Sequence, residues 1–518
     1  MAEAAAGGAV LPRAKRSINP WLIAPMVALA AFMEVLDISI ANVSLQNISG
    51  SLAASPDQAT WILTSYLVTN AVVLPISGWL SEYFGRTRFF IACIIGFSLA
   101  SLACGLAPNL ELLIAFRAIQ GMAGGALQPV SQAILADAFP PEKRPMAFAM
   151  YGIAVVAAPA IGPTLGGWIT DQFSWHWIFL INVPVGIALV MLIRAFVPDE
   201  PPNHDGSPVD YLGFALIALG LGSLQWLLDR GQTADWWAST QIRVLAVIVV
   251  VCLSTYIVRA FDQKNPIVDL RLFRYKNYAV SNVLMFVLGF VLLGSTAMLP
   301  LFMQSLLGYT ALDAGLVISP GGFAIMALMP IIGKLITRVD IRVLITFGLI
   351  IGGTALWHMG TFNLNVDQAT LAMVRAWQTA GIAFLFIPIS TVAYIGLPAS
   401  ANNQASAMLA FMRNLGGGVG ISLLVTLLAR LSAHDRVPLV AHTNPGNPAW
   451  TQHIQTLTGM LGSHERAIAM ASQQLEQQAS LLSYITGFHL LGLLFFAMIP
   501  LVWLLKVDGD IAAPAGAH

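Results

Sequence analysis

Charge is scarce in this chain. Only 10% of its 518 residues are Asp, Glu, Lys or Arg, against about 25% in an ordinary soluble domain. With 57% hydrophobic residues and a mean hydropathy of +0.76, it cannot build a water-facing surface. That excludes a soluble globular protein and implies an integral membrane one. The formal net charge is zero, so no bulk attraction to nucleic acid follows. Cysteine is nearly absent. Cys93, Cys104 and Cys252 sit in apolar segments without CxxC spacing and read as small core residues. No G-x-x-x-x-G-K-[ST] phosphate loop occurs, which argues against ATP drive. His358 and His489 are single histidines, and no paired-His or nucleophile constellation marks an enzyme.

Long apolar runs are what the chain does contain. About fourteen stretches of roughly 20 residues follow one another, near 21–43, 59–80, 89–107, 110–138, 146–169, 175–197, 209–228, 242–262, 278–303, 311–336, 341–359, 369–396, 404–430 and 480–505. The first is too long for a signal peptide, carries Glu34 and Asp37, and reads as a retained helix. With a cytoplasmic N-terminus, about seventeen of the 25 Lys and Arg fall in inner loops, so both termini are expected in the cytoplasm.

The chain reads as duplicated. "LPISGWLSEYFGRTRFF" at 74–90 resembles "MPIIGKLITRVDIRVLI" at 329–345, and "RAIQG" from Arg117 recurs as "RAWQTAG" from Arg375. The expected organisation is a tail at 1–20, a six-helix bundle at 21–197, and a linker at 198–277 carrying two inserted spans. A second six-helix bundle at 278–506 follows, with an outer loop at 431–479, and then a tail at 507–518. Parallel halves with a site between them at mid-depth form a known transporter architecture.

Breakers inside lipid need a reason. In "APAIGPTLGGW", Pro159 and Pro163 each delete a backbone hydrogen bond, which is tolerable only where protein covers the freed carbonyls. Gly162 and Gly166 share a face and allow close helix approach, with Gly167 beside them. Charges in spans cost about 2.5–3.5 kcal/mol each on insertion scales and are usually functional. Glu34 and Asp37 share one helical face. At 1.5 Å per residue, Asp37 lies roughly 9 Å and Arg117 roughly 12 Å from the outer ends of their spans, so an acid, an arginine and a kinkable helix share one level. Asp37 is the expected proton carrier, Glu34 its assistant or a contact for cationic substrates, and Arg117 the responder to their charge. Arg375 reads as structural. Arg413, in "FMRNLGGGVG", either snorkels or lines a cavity. In the outer loop, "DRVPLVAHTNPGNPAW" reads as turn-rich. Beyond it Ser463 is placed to cap a helix in which Ile468, Leu475 and Leu482 recur every seven residues.

"GWLSEYFGRTR", "RAIQGMAGGALQP" and "APAIGPTLGGW", in that order, resemble the signature set of the major facilitator superfamily. Fourteen spans and "VLDISIANVSLQNISG" are similar to its drug:proton antiporter branch with fourteen helices. The resemblance implies an all-α membrane fold of two six-helix bundles plus two inserted helices. It implies a secondary transporter that exports hydrophobic compounds across a bacterial inner membrane, with a proton as coupling ion and no cofactor. Import or export of one metabolite or fatty acid is the rival reading. The proline–glycine stretch is the antiporter motif of exporters. Gly78, Glu82, Gly85, Arg86 and Arg88 form a cytoplasmic latch loop, with Glu82-Tyr83 where the superfamily usually has Asp-Arg. Substrate contacts fall on Tyr66, Asn70, Gln128, Gln378, Phe384 and Tyr394. Partners are the lipid bilayer, a periplasmic adaptor of the EmrA type and an outer-membrane channel of the TolC type.

Overall fold

A computed structural model describes residues 19–54, 56–198, 210–263, 266–444 and 446–506. Apart from residues 19 and 20, the expected tails lie outside this set, as does the linker stretch 199–209. Every regular element among the described residues is a helix. The first six spans are α1 (Pro20–Val43), α2 (Trp61–Phe84), α3 (Arg86–Gly105), α4 (Leu110–Ala138), α5 (Arg144–Gln172) and α6 (Trp177–Phe196). Then come α7 (Tyr211–Arg230), α8 (Thr240–Asp262), α9 (Lys276–Leu306), α10 (Ala311–Leu335), α11 (Ile341–Met359), α12 (Gln368–Val392) and α13 (Asn402–Ala441). A shorter α14 (Pro448–Leu461) precedes α15 (His464–Val502). Among the described residues, thirteen helices are long and apolar enough to cross a membrane, and α5 makes a fourteenth, bent by 49° between Arg144–Pro159 and Thr164–Gln172. The bend falls where the prolines remove ladder hydrogen bonds.

Packing repeats between the halves. In the first, α1 lies on α5 and α2 on α4; in the second, α9 lies on α13 and α10 on α12. Glycines set how closely these pairs approach. A Cβ on Gly121 would overlap the Tyr66 backbone, and one on Gly125 would come within 2.7 Å of the Asn70 carbonyl. Helix α4, expected as one continuous span, is interrupted there, between Gly124 and Leu127. In the second half a Cβ on Gly289 would overlap the Arg413 carbonyl, and one on Gly416 the Phe286 carbonyl. The backbone of α13 is therefore seated directly on α9.

The halves meet at the end that carries Arg86, Arg144 and Arg271. A Cβ on Gly78 of α2 would lie 2.9 Å from the Asn403 carbonyl at the start of α13. Its repeat counterpart Gly333 of α10 packs the same way on Met146 and Ala149 of α5, at 3.3 and 3.2 Å. The duplicated turns thus each rest on the opposite half.

The inserted pair α7–α8 leans on α2. Trp226 meets Trp61 edge to face at 5.1 Å, Asp229 accepts from Thr64, and Arg230 lies over the Trp61 ring at 4.5 Å. At its other end, Asp210 caps α7 by accepting from the Gly213 amide at 2.9 Å and pairs with Arg259 of α8 at 2.9 Å. Burial alone would raise the Asp210 carboxyl, but the bonds from Arg259 and Gly213 outweigh it and hold the group below the ordinary Asp value. The sign follows: this stabilisation is present above the ordinary value of about 4 and is lost as pH falls through the lower folded value. Purified Asp210→Asn should unfold at a lower temperature than the parent at neutral pH. The gap should narrow at about pH 3.5; one that stayed constant would remove the pair from this role.

The outer loop corrects two expectations. The turn-rich stretch is mostly helical: α13 runs to Ala441, eleven residues (about 16 Å) past the expected span end. Among the described residues, 442–444, 446 and 447 lie between the helices, and Asn447 caps α14 by accepting from the Ala449 amide at 3.1 Å. Ser463 stands at the α15 N-cap with extended backbone, but its side chain makes no capping bond. Of the heptad, Ile468 and Leu482 are exposed and Leu475 is half-buried. The buried contacts of α15 with α14 are Ala467 and Ala471, against Ile454 and Leu457. Small residues were needed because the two helices lie close together, so the larger apolar side chains point outward.

Candidate functional site

Two polar clusters lie buried in the first half, and α1 contributes the acid to each. Asp37 is 2% exposed and Arg117, from α4, is fully buried. Arg117 Nη1 meets Asp37 Oδ2 at 2.5 Å. The other carboxylate oxygen, Oδ1, accepts from Gln120 Nε2 at 2.9 Å and Asn182 Nδ2 at 2.8 Å. Gln120 lies one turn from Arg117 and accepts from it at 2.9 Å. Asn182 of α6 also donates to Ser101 of α3, at 3.0 Å. Arg117 lies over the Tyr66 ring at 4.3 Å and donates through Nε to the Ile62 carbonyl at 3.3 Å. Four helices thus hold one ion pair with nearly every polar atom satisfied, as burial in a low dielectric requires. Among the described residues, Arg117 Nη2 is a buried donor with no partner.

Glu34, one turn from Asp37, faces a different set. Asn70 of α2 donates to its Oε1 at 3.0 Å and Gln128 of α4 donates to its Oε2. The Tyr66 hydroxyl reaches Oε1 at 3.5 Å, so one tyrosine touches both clusters. The carbonyl oxygen of Gln128 accepts from Arg413 of α13, whose guanidinium lies 5.6 Å from the Phe386 ring centre. Of the two options for Arg413, the structure places it inside, buried at the seam between halves.

The glycines of the proline–glycine stretch in α5 lie in the same region. Gly162 lies against Ser39 of α1, where a Cβ would overlap its side chain, and a Cβ on Gly166 would be 3.0 Å from Ile40 Cγ2. The flat face of α5 therefore seals onto α1, two residues beyond Asp37. Gly167 points to open space, while Pro159 lies at the bend. Pro163 is also in the bend, though its side chain is outside the described set.

In the turn expected to act as a latch, Gly85 between α2 and α3 has φ +85°, a backbone that favours glycine. Arg86 pairs with Asp137, which accepts from Asn402 at the start of α13. Glu82 faces Asn403 and Gln404 of the same helix, and Arg88 is exposed on α3. Among the expected substrate contacts, Tyr66, Asn70 and Gln128 are occupied with Glu34 and Arg117. Phe384 packs edge to face on Phe347 at 5.1 Å, and Tyr394 stacks on Phe148 of α5 at 5.7 Å.

The second half contains a counterpart that keeps the arginine and lacks the acid. Arg375 Nη1 donates to Gln378 at 2.6 Å, repeating the Arg117–Gln120 pair. Where Asp37 would stand, Arg375 and Gln378 find the hydroxyl of Ser295, at 3.1 and 2.8 Å. Ser295 follows Asp37 by 258 residues, the same offset that separates Arg117 from Arg375. Sequence reasoning missed Ser295, Asn182 and Gln120. The common offset would have found the first; Asn182, an amide in an apolar run, gave the only signal for itself.

The sequence profile of the Major Facilitator Superfamily matches residues 27–421. The chain is 37% identical over 486 residues to the multidrug export protein EmrB of Haemophilus influenzae, covering 94% of this chain and 95% of that one. It is 36% identical over 495 residues to the fatty acid resistance protein FarB of Neisseria gonorrhoeae, covering 96% and 97%. The crystal structure of the human organic anion transporter MFSD10 shares the fold, with a TM-score of 0.61 at 13% identity over 93% of this chain and 99% of that one. Matched profile, relatives and fold converge: this multi-pass membrane protein belongs to the major facilitator superfamily and is a transporter.

Proposed function

We propose that this transporter is a proton-driven antiporter that exports hydrophobic toxic compounds across a bacterial inner membrane, with both termini in the cytoplasm. The carrying observation is the buried Asp37–Arg117–Gln120–Asn182 cluster, set beside a second half where Ser295 replaces the acid. A carboxylate in lipid that already has a cationic partner can exchange a proton for cargo, because small changes in that pairing move its affinity by large amounts. The α5 bend and its glycine face against α1 supply a flexible element at the acid. Expression of the chain in a pump-deficient bacterium should lower accumulation of a lipophilic fluorescent dye, and a protonophore should abolish the difference. Lowered accumulation that survives the protonophore would defeat proton drive.

The chain acts here as the pump of a tripartite system. Its outer hairpin, α14 with the extensions of α13 and α15, carries exposed Val437, Met460 and Ile468. Exposed apolar side chains beyond the lipid suit a protein surface, which supports an adaptor of the EmrA type and, through it, a channel of the TolC type. Deleting residues 440–475 should abolish co-purification with the adaptor while leaving the membrane-embedded part folded; retained co-purification would remove the hairpin from that role.

A further inference from the structure

The Glu34 cluster is where a buried side-chain network crosses from one half to the other, and its mechanical setting is unusual. Glu34 is carried by α1, which the Gly162 and Gly166 contacts fix to α5. Arg413 is carried by α13, which the Gly289 and Gly416 contacts fix to α9. Neither charged residue can follow the other by sliding its own helix. Measured along their helices, Gln128 and Arg413 both lie about 15–16 Å from the arginine-rich end, halfway through a bilayer core. Between the two charges stands the neutral amide of Gln128. Its Nε2 donates to Glu34 and its Oε1 accepts from Arg413.

That orientation is dictated by charge. An ionised carboxylate can only accept and a guanidinium can only donate, so the amide must point its NH2 at Glu34 and its carbonyl at Arg413. Protonated Glu34 becomes a donor. Its hydroxyl then competes for the Gln128 carbonyl, and an amide that turns to meet it presents NH2 to the guanidinium, donor against donor. We propose that Gln128 and Arg413 are positioning residues that read the charge of Glu34, clasping the two halves while it is ionised and releasing them when it is protonated. The other titratable or charged groups facing this site are Asp37 on the same helix, Tyr66 on α2, Arg117 on α4 and Tyr151 on α5, the last within electrostatic reach of both Glu34 and Arg413. Helix α6 contributes the amide of Asn182.

The inference rests on the antiport reading above, and the test separates the two. Glu142 and Thr337 are exposed at the arginine-rich end, one in each half. After replacement of the three native cysteines by serine, spin labels at Glu142→Cys and Thr337→Cys report the separation of the halves by pulsed electron resonance. In the parent the separation should grow as pH falls from about 8 to 5. Gln128→Leu should leave the halves apart at every pH. Gln128→Glu, which pairs directly with Arg413, should hold them together at every pH and cut transport by about tenfold or more. A merely structural glutamine would not give opposite shifts from one position. If Gln128→Leu is not recovered as monodisperse protein, Arg413→Met carries the same expectation. Retention of the parent's pH response in either variant overturns the clasp. Absence of proton-driven transport by the parent in liposomes overturns the antiport reading instead, and the distance response still decides the clasp.

Discussion

Asp37→Asn should lose proton-driven export altogether and should also be the less stable protein. Asparagine has nearly the shape of aspartate but carries no charge, so Arg117 is left as an uncompensated cation among Tyr66, Phe179 and Asp37's other former partners. Breaking one side of a buried pair in this way costs about 3–5 kcal/mol, because the remaining charge has lost its solvent and its partner. The double variant Asp37→Asn, Arg117→Gln removes both charges and should recover much of the thermal stability in detergent. It should still fail to couple export to a proton gradient. The two readouts divide the roles cleanly: an ion pair that merely fixes helix register would let the double variant regain transport along with stability. Drug efflux from cells and melting of purified protein measure the two quantities independently.

Gly289→Val should have the second large effect, through packing rather than charge. Its Cβ would overlap the Arg413 carbonyl oxygen of α13, and backbone cannot swing aside as a flexible side-chain tip does. Overpacking at such a contact costs about 3 kcal/mol or more. Gly416 and Gly420 make the equivalent approach to the Phe286 and Phe290 carbonyls one and two turns along. The variant should be missing from the monodisperse fraction after extraction. Gly167→Ala is the contrasting case. Nothing lies within 4 Å of its Cβ, and alanine in a helix is favoured over glycine by about 0.5–1 kcal/mol, so this variant should melt slightly higher than the parent. Gly167→Ala and Gly289→Val would thus move stability in opposite directions, read as a raised melting temperature in one and lost monodisperse protein in the other.

Much of this architecture was legible because lipid makes sequence rules strict. Charges are so costly there that Glu34, Asp37, Arg117 and Arg375 stand out in apolar runs without any structure. Matching depths along straight helices then brought Asp37 and Arg117 to one level, and the structure joins them. Depth could not separate the two acids. One turn apart on one face, they read as a unit, yet Asp37 turns to Arg117 and Gln120 of α4 and to α6, while Glu34 turns to α2 and to Gln128 of α4, which links it to the opposite half. Which neighbour each meets depends on how α1 is rotated, and helix periodicity in a span that is apolar all round leaves that rotation open. The same gap hid Asn182. In the outer loop the rules misled for another reason. Asn-Pro and Pro-Gly steps do mark turns, but here they fall in the short stretch between the end of α13 and the start of α14. The heptad of Ile468, Leu475 and Leu482 is real spacing, but its first and last members are exposed and Leu475 is half-buried, since close packing against α14 selected the alanines.

The central claim is that a buried carboxylate on α1 exchanges its proton for cargo. Purified protein in liposomes loaded with a lipophilic fluorescent dye, with a pH difference imposed by dilution, tests it most directly. Dye should move against its own gradient only while protons move the opposite way, should stop when a protonophore is added, and should not move uphill at all with Asp37→Asn. Uphill movement with neither a pH difference nor a voltage, or undiminished movement by the asparagine variant, would contradict the account.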